Sequence, residues 1–259
     1  MGDNLLGDFL KARRARVRAD EAGVTSYGRR RVPGLRRDEL AGLAGVSVHY
    51  LTRLEQGIDR NPSGQVVAAL AAALRLDRDE TAHLRSLAFP APSGGGPGDV
   101  GEDVRQLLDS WSHPAYVRDR RFDVLAANKA GQMLSALYRP GQNLVRGIFR
   151  TAEARTLFPD WADVAGQTAS ALRAEADQRD PATRALIESM RADSGFRALW
   201  DDNDVHRMSN EIKHFDHPSA GPLSLRRQAL TIAGADGLVI ITYQAEPGSP
   251  SALALSRLV

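Results

Sequence analysis

The stretch that decides the fold of the first part of the chain runs from Arg36 to Gly57 and reads RRDELAGLAGVSVHYLTRLEQG. Apolar residues fall at helical spacing on both sides of Gly45, which predicts two short amphipathic helices joined at that glycine. Gly45 can adopt a positive φ without steric cost, and the hydroxyl of Ser47 can cap the second helix. Ala41 is small enough for the two helices to cross closely. The apolar positions are Leu40, Leu43, Ala44, Leu51 and Leu54.

This pattern is typical of a helix-turn-helix that reads DNA. In such a motif the second helix enters the major groove, while the first crosses the sugar-phosphate backbone. The predicted base contacts are Val48, His49, Thr52 and Arg53. Arg53 suits a guanine, His49 a guanine or an adenine, and Val48 a thymine methyl group. An ordinary helical hairpin is the alternative, but the filled offsets and the basic surroundings favour DNA binding.

Positive charge is concentrated in the part of the chain that contains this motif. Residues 1–89 carry 15 Lys and Arg against 11 Asp and Glu, a net charge of +4. Residues 90–259 carry 19 against 21, a net charge of −2. Such a basic region is expected to bind phosphate. The predicted phosphate contacts are Arg29, Arg30, Arg31, Arg36, Arg37 and Arg60, and the same basic region includes Lys11, Arg13, Arg14, Arg16 and Arg18.

Composition limits the class of protein. A chain of 259 residues with 42% hydrophobic content can bury a substantial core and is long enough for two domains. The absence of cysteine excludes disulfides and thiolate metal sites. The sequence contains neither a run of about eighteen apolar residues nor a signal peptide at its N-terminus. We therefore expect a cytoplasmic protein that does not insert into membranes.

The sequence predicts two domains separated by a linker. A first helix begins near Leu5 and ends around residues 20–23, and two further helices follow the motif, the first opening at Pro62 or Ser63. These helices predict an all-α five-helix DNA-binding bundle over residues 1–89. Residues 90–98, PAPSGGGPG, suit neither helix nor strand, so residues 90–101 are interpreted as a flexible Pro/Gly linker. The second domain is expected over residues 102–259.

The second domain shows a mixed α+β pattern. Strands at both ends with helices between them predict an antiparallel sheet covered on one face by helices, with an apolar hollow between the layers. The expected helices are 103–111, 129–137, 143–158, 160–178, 182–193 and 195–201. The expected strands are 115–117 and 121–127, which form a hairpin, followed by 207–215, 223–232 and 238–245.

Several segments together resemble one known family. RRRVPGLRRDELAGLAGVSVHYLTRLEQG, followed by NPSGQVVAALAAALRL, is similar to the Xre-type helix-turn-helix regulators that carry an MmyB-like ligand-binding domain. The second half agrees in order, through PAYVRDRRFDVLAANKAG, QNLVRGIF, LFPDWADVA, SGFRALWDDNDV, HPSAGPLSL and ITYQAEPGSPSALAL. In that family the ligand domain has a PAS-like fold, and a fatty acid has been seen in its pocket.

The resemblance implies a dimeric transcription regulator, usually a repressor, that is controlled by a hydrophobic small molecule. A dimer of this kind is expected to bind double-stranded DNA at an inverted repeat. In the family's pattern Arg37 matches a phosphate contact, and Glu55 matches a carboxylate that pairs with an arginine of the first helix, here Arg14. Two positions depart from the family's pattern: members of the family often have Asp at the position of His49 and Trp at the position of Ala127. The first departure is expected to change the operator sequence, and the second to enlarge the ligand cavity.

Candidate ligand contacts come from aromatic and apolar residues of the second domain. The predicted lining is Val124, Ala126, Phe149, Trp161, Phe196, Leu199, Trp200 and Tyr243, with Asn128 or His217 for a carboxylate or hydroxyl group. For each residue taken singly, ordinary core packing is the alternative. No resident cofactor is expected besides a bound fatty acid or a similar effector.

Three alternatives to a ligand-controlled regulator are a metal-binding protein, an enzyme and a DNA-binding factor without a small ligand. Asp201, Asp202, Asp204 and His206 lie close enough in sequence to suggest a metal site, but acidic clusters at helix ends are usually solvated. The absence of nucleophile-elbow and nucleotide-binding glycine motifs favours a protein that is not an enzyme. The alternative function is a DNA-binding factor whose second domain serves only dimerisation or docking of a partner protein. The sequence identifies neither the operator, the regulated genes nor the effector.

Overall fold

The computed structural model describes residues 4–18, 22, 34–89, 100–201, 211–235 and 237–258. The chain divides into two compact units, Met1–Pro92 and Ser93–Val259. Within the described ranges, every helix is too short or too polar to cross a membrane.

The first unit has five helices in its described part, as the sequence predicted. Their leucines form the core, and Leu10, Leu40, Leu51, Leu54 and Leu84 are fully buried. Leu43 departs from the predicted pattern because its side chain is 43% exposed. The helices are α1 Leu5–Arg16, α2 Arg37–Leu43, α3 Val48–Gln56, α4 Gly64–Ala73 and α5 Arg78–Ala88.

The first helix is shorter than the sequence suggested. α1 ends at Arg16, and the backbone of Val17 is extended instead of helical. Arg18 then forms an isolated antiparallel bridge with Gly34, which brings the chain back towards the start of α2. At the other end of α1, the side chain of Asn4 caps the helix and also donates a hydrogen bond to the carbonyl oxygen of Glu55 at 2.8 Å.

The turn between α2 and α3 forms by the local rules read from the sequence. Gly45 has a φ of +63°, where a side chain would be strained. The hydroxyl of Ser47 accepts a hydrogen bond from the backbone N–H of Tyr50 at 3.1 Å and caps α3. Ala41 is buried where the helices meet. The predicted helix-turn-helix is therefore confirmed.

The second unit contains a five-stranded antiparallel sheet. Its strand order is β2-β1-β5-β4-β3, so the N-terminal hairpin pairs with the last strand of the chain. The strands are β1 Ala115–Arg118, β2 Val124–Ala127, β3 Glu211–His217, β4 Gly221–Thr231 and β5 Val239–Ala245. The helices are α6 Glu102–Asp109, α7 Lys129–Leu134, α8 Leu144–Arg150, α9 Ala152–Leu157, α10 Trp161–Glu175, α11 Pro181–Met190, α12 Ser194–Asp201 and α13 Pro250–Leu255.

Three helical segments differ from the prediction. Residues 143–158 form two helices because Thr151 adopts an extended backbone, and its hydroxyl caps the second helix. α7 ends at Leu134, and a short 3-10 helix at Ala136–Tyr138 follows it. α13 was not predicted, although Ser249 and Pro250 form a typical helix start.

Apolar side chains pack on both faces of the sheet. The main cluster joins one face to residues of α7 through α12. A smaller cluster on the opposite face contains Leu108 of α6, Val117 and Ile240, so that helices cover part of both faces and not one only. Val100, which falls inside the range expected for the linker, is buried in this second cluster.

Candidate nucleic-acid interface and effector site

The predicted base-contact residues lie on the outward side of α3. Leu51 and Leu54 are fully buried and fix the helix against α1 and α2. Val48 is 45% exposed and His49 is also exposed, whereas Thr52 and Arg53 are partly exposed. An exposed apolar valine beside polar side chains at the start of such a helix is the arrangement that base edges require.

A buried carboxylate holds the helix-turn-helix together. Glu55 is fully buried, and its two oxygens accept hydrogen bonds from Arg14 Nε and Arg37 Nε, each at 2.7 Å. Arg14 Nη1 also donates to the carbonyl oxygen of Leu35 at 2.9 Å. The predicted pair of Glu55 with Arg14 is present, and Arg37 is a second partner that the sequence did not reveal. Glu55 therefore ties α1, α2 and α3 to one another.

The predicted phosphate contacts have different surroundings. Arg36 is exposed just before α2, and its backbone N–H donates to Glu39 at 2.6 Å. The side chain of Arg37 is 42% exposed although its Nε is bound to Glu55. Arg60 is exposed, and its Nε donates to the carbonyl oxygen of Gly57 at 2.8 Å. The other predicted contacts, Arg29, Arg30 and Arg31, lie outside the described residues.

Arg13 does not belong to the basic surface that the sequence suggested. It is buried, with Nη1 2.5 Å from Oε1 of Glu80 on α5, and its guanidinium lies 5.3 Å from the centre of the Phe9 ring. The linear sequence gave no sign that an acidic residue nearly seventy positions away would neutralise it.

Arg53 has an acidic partner that the sequence analysis missed. Its Nε and Nη2 donate to the two carboxylate oxygens of Asp59 at 2.8 and 2.9 Å. The hydrogen bond from Arg53 lowers the pKa of the Asp59 carboxyl below its ordinary value, and the charge of His49 acts in the same direction. The six-residue spacing of Arg53 and Asp59 indicates an ion pair only if the chain reverses after α3, as it does at Gly57.

Four predicted lining residues of the second unit are brought together. The Phe149 ring is 6.1 Å from that of Trp161 and 5.2 Å from that of Phe196, and the Phe196 ring stacks on Trp200 at 5.4 Å. Leu199 and Trp161 are partly buried against the same main cluster. Such ring contacts are expected both of an ordinary hydrophobic core and of a ligand pocket, so the lining role of these residues stays a prediction.

A group of three buried tyrosines lies in the main cluster. Tyr116 and Tyr138 stack with ring centres 4.6 Å apart, and the hydroxyls of Tyr138 and Tyr243 are 3.1 Å apart. Only Tyr243 was among the predicted lining residues. Burial raises the pKa of Tyr116 and of Tyr138 well above the ordinary value, so both hydroxyls stay protonated and can donate. Arg227 lies opposite Tyr243 in the sheet register.

Two of the predicted lining residues lie on opposite faces of the sheet. Val124 belongs to the main cluster, whereas Ala126 packs in the smaller cluster on the other face. Residues two apart normally share a face, but the β1–β2 register shifts between Val117 and Arg118. Ala126 therefore does not face the main cluster with the other predicted lining residues, and Ala127 packs against that cluster instead.

Asn128 serves the fold and not a ligand. Its Oδ1 accepts from the backbone N–H of Ala115 at 3.0 Å and from that of Gly131 at 2.8 Å, which caps α7. Its Nδ2 is within 3.1 Å of three carbonyl oxygens, those of Leu108, Trp111 and His113. These contacts occupy both hydrogens of the amide, which corrects its prediction as a head-group contact.

His217 is likewise engaged by the backbone. Its Nε2 is 3.1 Å from the carbonyl oxygen of Met133, so Nε2 carries the proton. Its Nδ1 then accepts from the N–H groups of Ser219 at 3.2 Å and Ala220 at 3.1 Å. Nδ1 fixes the β3–β4 turn and Nε2 joins it to α7, so both ring nitrogens are occupied by the backbone, which corrects the prediction of His217 as a ligand contact.

Two buried basic side chains of the sheet are paired with carboxylates. Arg118 is buried, pairs with Glu175 at 2.8 Å and lies 3.9 Å over the Phe122 ring. Lys213 is buried and lies 3.2 Å from Glu211, and burial lowers its pKa. The charges of Arg118 and Lys213 are therefore paired, whereas Arg227 is a third buried basic side chain whose charge acts on Tyr116 and Tyr138.

Of the residues considered for a metal site, Asp201 alone lies within the described ranges. Asp201 pairs with Arg191, and Asp202, Asp204 and His206 lie outside the described residues.

Comparison with known families covers both units. Residues 5–84 match a helix-turn-helix domain model, and residues 100–258 match a model of the MmyB-like transcription regulator ligand binding domain. A search of curated protein sequences found no significant match.

Proposed function

Because the chain belongs to the family of transcription regulators with an MmyB-like ligand-binding domain, we propose that it acts as a homodimeric repressor whose operator binding responds to a hydrophobic small molecule. The chain is a DNA-binding transcription regulator with a ligand-binding domain; the repressor role, the dimer and the class of effector are the proposal. The exposed outer side of α3 is the observation that best supports the DNA-binding part of this proposal.

DNA is proposed to bind along α3 and its flanks. Val48, His49, Thr52 and Arg53 contact base edges, while Arg36, Arg37 and Arg60 contact phosphates. Arg29, Arg30 and Arg31 are proposed as further phosphate contacts. Two such surfaces in a dimer require half-sites about 34 Å apart, one helical turn of DNA, arranged as an inverted repeat.

Selection from a random duplex library tests this arrangement. Arg53→Ala should relax one base position in each half-site at a cost of roughly 1–3 kcal/mol, whereas Arg37→Ala should weaken binding to all sequences alike. An unchanged base preference in the Arg53 variant, or a footprint on one isolated half-site, would contradict the proposed reading surface.

The effector is proposed to be a fatty acid or a similar amphiphile. Its chain would lie among Phe149, Trp161, Phe196 and Trp200. Its carboxylate would accept hydrogen bonds from the protonated hydroxyls of the Tyr116–Tyr138–Tyr243 group, where Arg227 supplies favourable charge. An effector controls DNA binding only if it binds the two states of the dimer unequally.

Native mass spectrometry before and after denaturing extraction tests the effector. Release of a lipid-like mass from a dimer supports the proposal, and Tyr243→Phe should then retain less of that lipid than Leu253→Ala, a change of an exposed residue. An empty dimer that also takes up no added fatty acid would favour the second function, a domain for dimerisation or partner docking.

A further inference from the structure

The end of α3 is shaped so that Asp59 meets Arg53. Gly57 has a φ of +72° and ends the helix. The N–H groups of Ile58 and Asp59 then both donate to the carbonyl oxygen of Arg53, at 2.9 and 3.3 Å. The chain reverses over these residues. The Asp59 carboxylate therefore lies beside the side chain of Arg53, whose carbonyl oxygen accepts both hydrogen bonds of the turn.

The ion pair uses one edge of the guanidinium and leaves another open. Asp59 accepts from Nε and from one hydrogen of Nη2. The two hydrogens of Nη1 and the second hydrogen of Nη2 have no partner among the described residues. The edge between Nη1 and Nη2 carries two parallel N–H groups, which is the geometry that pairs with O6 and N7 of guanine. Arg53 can therefore hold Asp59 and a guanine at the same time.

A carboxylate at this place has an electrostatic cost. The Arg53 side chain is 40% exposed and that of Asp59 is 29% exposed, so both lie at the surface where DNA would approach. The hydrogen bond from Arg53 lowers the pKa of Asp59, which therefore remains ionised near neutral pH. A fixed negative charge there repels the phosphates of every DNA sequence, whereas its benefit is confined to the one base that Arg53 contacts.

We propose that Asp59 is a specificity-determining residue that holds the Arg53 guanidinium with its Nη1–Nη2 edge directed at a guanine. The inference rests on the reading surface proposed above. Asp59 has no base or phosphate contact of its own in this role; it acts by restricting the orientations of a long and otherwise mobile side chain.

The test is parallel selection from a random duplex library with the full chain and its variants, followed by affinity measurements over a range of salt concentrations. The variants are Asp59→Asn, Asp59→Ala, Arg53→Ala and the double variant Arg53→Ala/Asp59→Ala. Asp38→Asn is the matched control, because Asp38 is an exposed acid in the first turn of α2 and loses the same charge. Thermal unfolding of each variant reports whether the first unit remains folded.

The two Asp59 variants should lose the guanine preference at the position that Arg53→Ala relaxes. A bidentate arginine–guanine pair discriminates by roughly 5- to 150-fold, and we expect at least a fivefold loss of this discrimination in Asp59→Ala. The double variant should lose no more than Arg53→Ala alone. Affinity for unselected DNA should rise a few-fold in Asp59→Asn and in the Asp38→Asn control, and the control should keep its base preference.

Three results would overturn the inference while leaving the DNA-reading function intact. In the first, Asp59→Asn keeps the guanine preference and gains only general affinity, which is a charge effect alone. In the second, discrimination increases, which means that Asp59 withholds Arg53 from the base. In the third, both Asp59 variants lose affinity for all sequences together with thermal stability, which is a structural role. A wild-type chain that selects no sequence would overturn the proposed function itself.

Discussion

The buried carboxylate that joins the first three helices allows a quantitative prediction of stability. Glu55→Gln keeps the side-chain volume but removes the charge that neutralises Arg14 and Arg37. Removing one partner of a buried ion pair costs about 3–5 kcal/mol. The Arg14 side chain is only 19% exposed and retains most of this penalty, whereas that of Arg37 is 42% exposed and is screened by water. We expect the free energy of unfolding of the first unit to fall by about 2–4 kcal/mol.

The distribution of tryptophan allows this loss to be assigned to one unit. Trp111, Trp161 and Trp200 are the only tryptophans of the sequence, and all three lie in the second unit. In a urea titration, Glu55→Gln should shift the circular-dichroism transition of the first unit and leave the tryptophan-fluorescence transition in place. Asp8→Asn is the control, because it removes a surface pair with Lys11 and should cost less than about 1 kcal/mol. Equal losses in the two variants would refute the reasoning.

Three further predictions concern packing and titration. Asn128→Ala and Asn128→Asp should each destabilise the second unit by about 3 kcal/mol in urea, since neither side chain can donate to the surrounding carbonyl groups; an Asp variant as stable as wild type would contradict this. Gly45→Ala should cost about 1–2 kcal/mol for its left-handed backbone, and Gly57→Ala should cost more because its Cβ would lie 2.6 Å from the side chain that caps α1. Equal losses of thermal stability in the two variants would contradict this, because they would show that the Asn4 side chain moves aside without cost. Burial raises the pKa of Tyr116 and Tyr138, whereas unfolded tyrosines ionise near pH ~10. Their contribution to stability is therefore complete below that pH and is lost as the pH rises through their folded pKa values. Replacing both by Phe should flatten the alkaline fall measured by tryptophan fluorescence, and an unchanged slope would argue against it.

The helix-turn-helix could be predicted because the features that define its turn are local. The positive φ of Gly45, the cap of Ser47 and the apolar spacing all lie within 22 residues, and the structure contains each of them except the burial of Leu43. The contact between Arg53 and Asp59 also spans only six residues. It depends, however, on a chain reversal at Gly57 whose direction the sequence pattern does not specify.

The antiparallel sheet of the second unit was predictable, but its partial cover on the second face and the orientation of single residues were not. The β-bulge in the first hairpin places Val124 and Ala126 on opposite faces, and a period-two pattern cannot detect such a shift. Asn128 looked like a polar group in an apolar setting, yet its partners are backbone atoms that only the folded chain assembles. Burial of Arg13 against Glu80 likewise depends on the packing of α1 on α5.

The contact between Asn4 and the end of α3 joins the start of α1 to the turn that follows α3. Asn4 caps its own helix, holds the carbonyl oxygen of Glu55 and leaves no space for a side chain at Gly57. The same residue thus supports the turn that delivers Asp59 to Arg53. Replacing Asn4 by Ala would remove this support, so a change far from α3 in the sequence is expected to alter how firmly Arg53 is oriented.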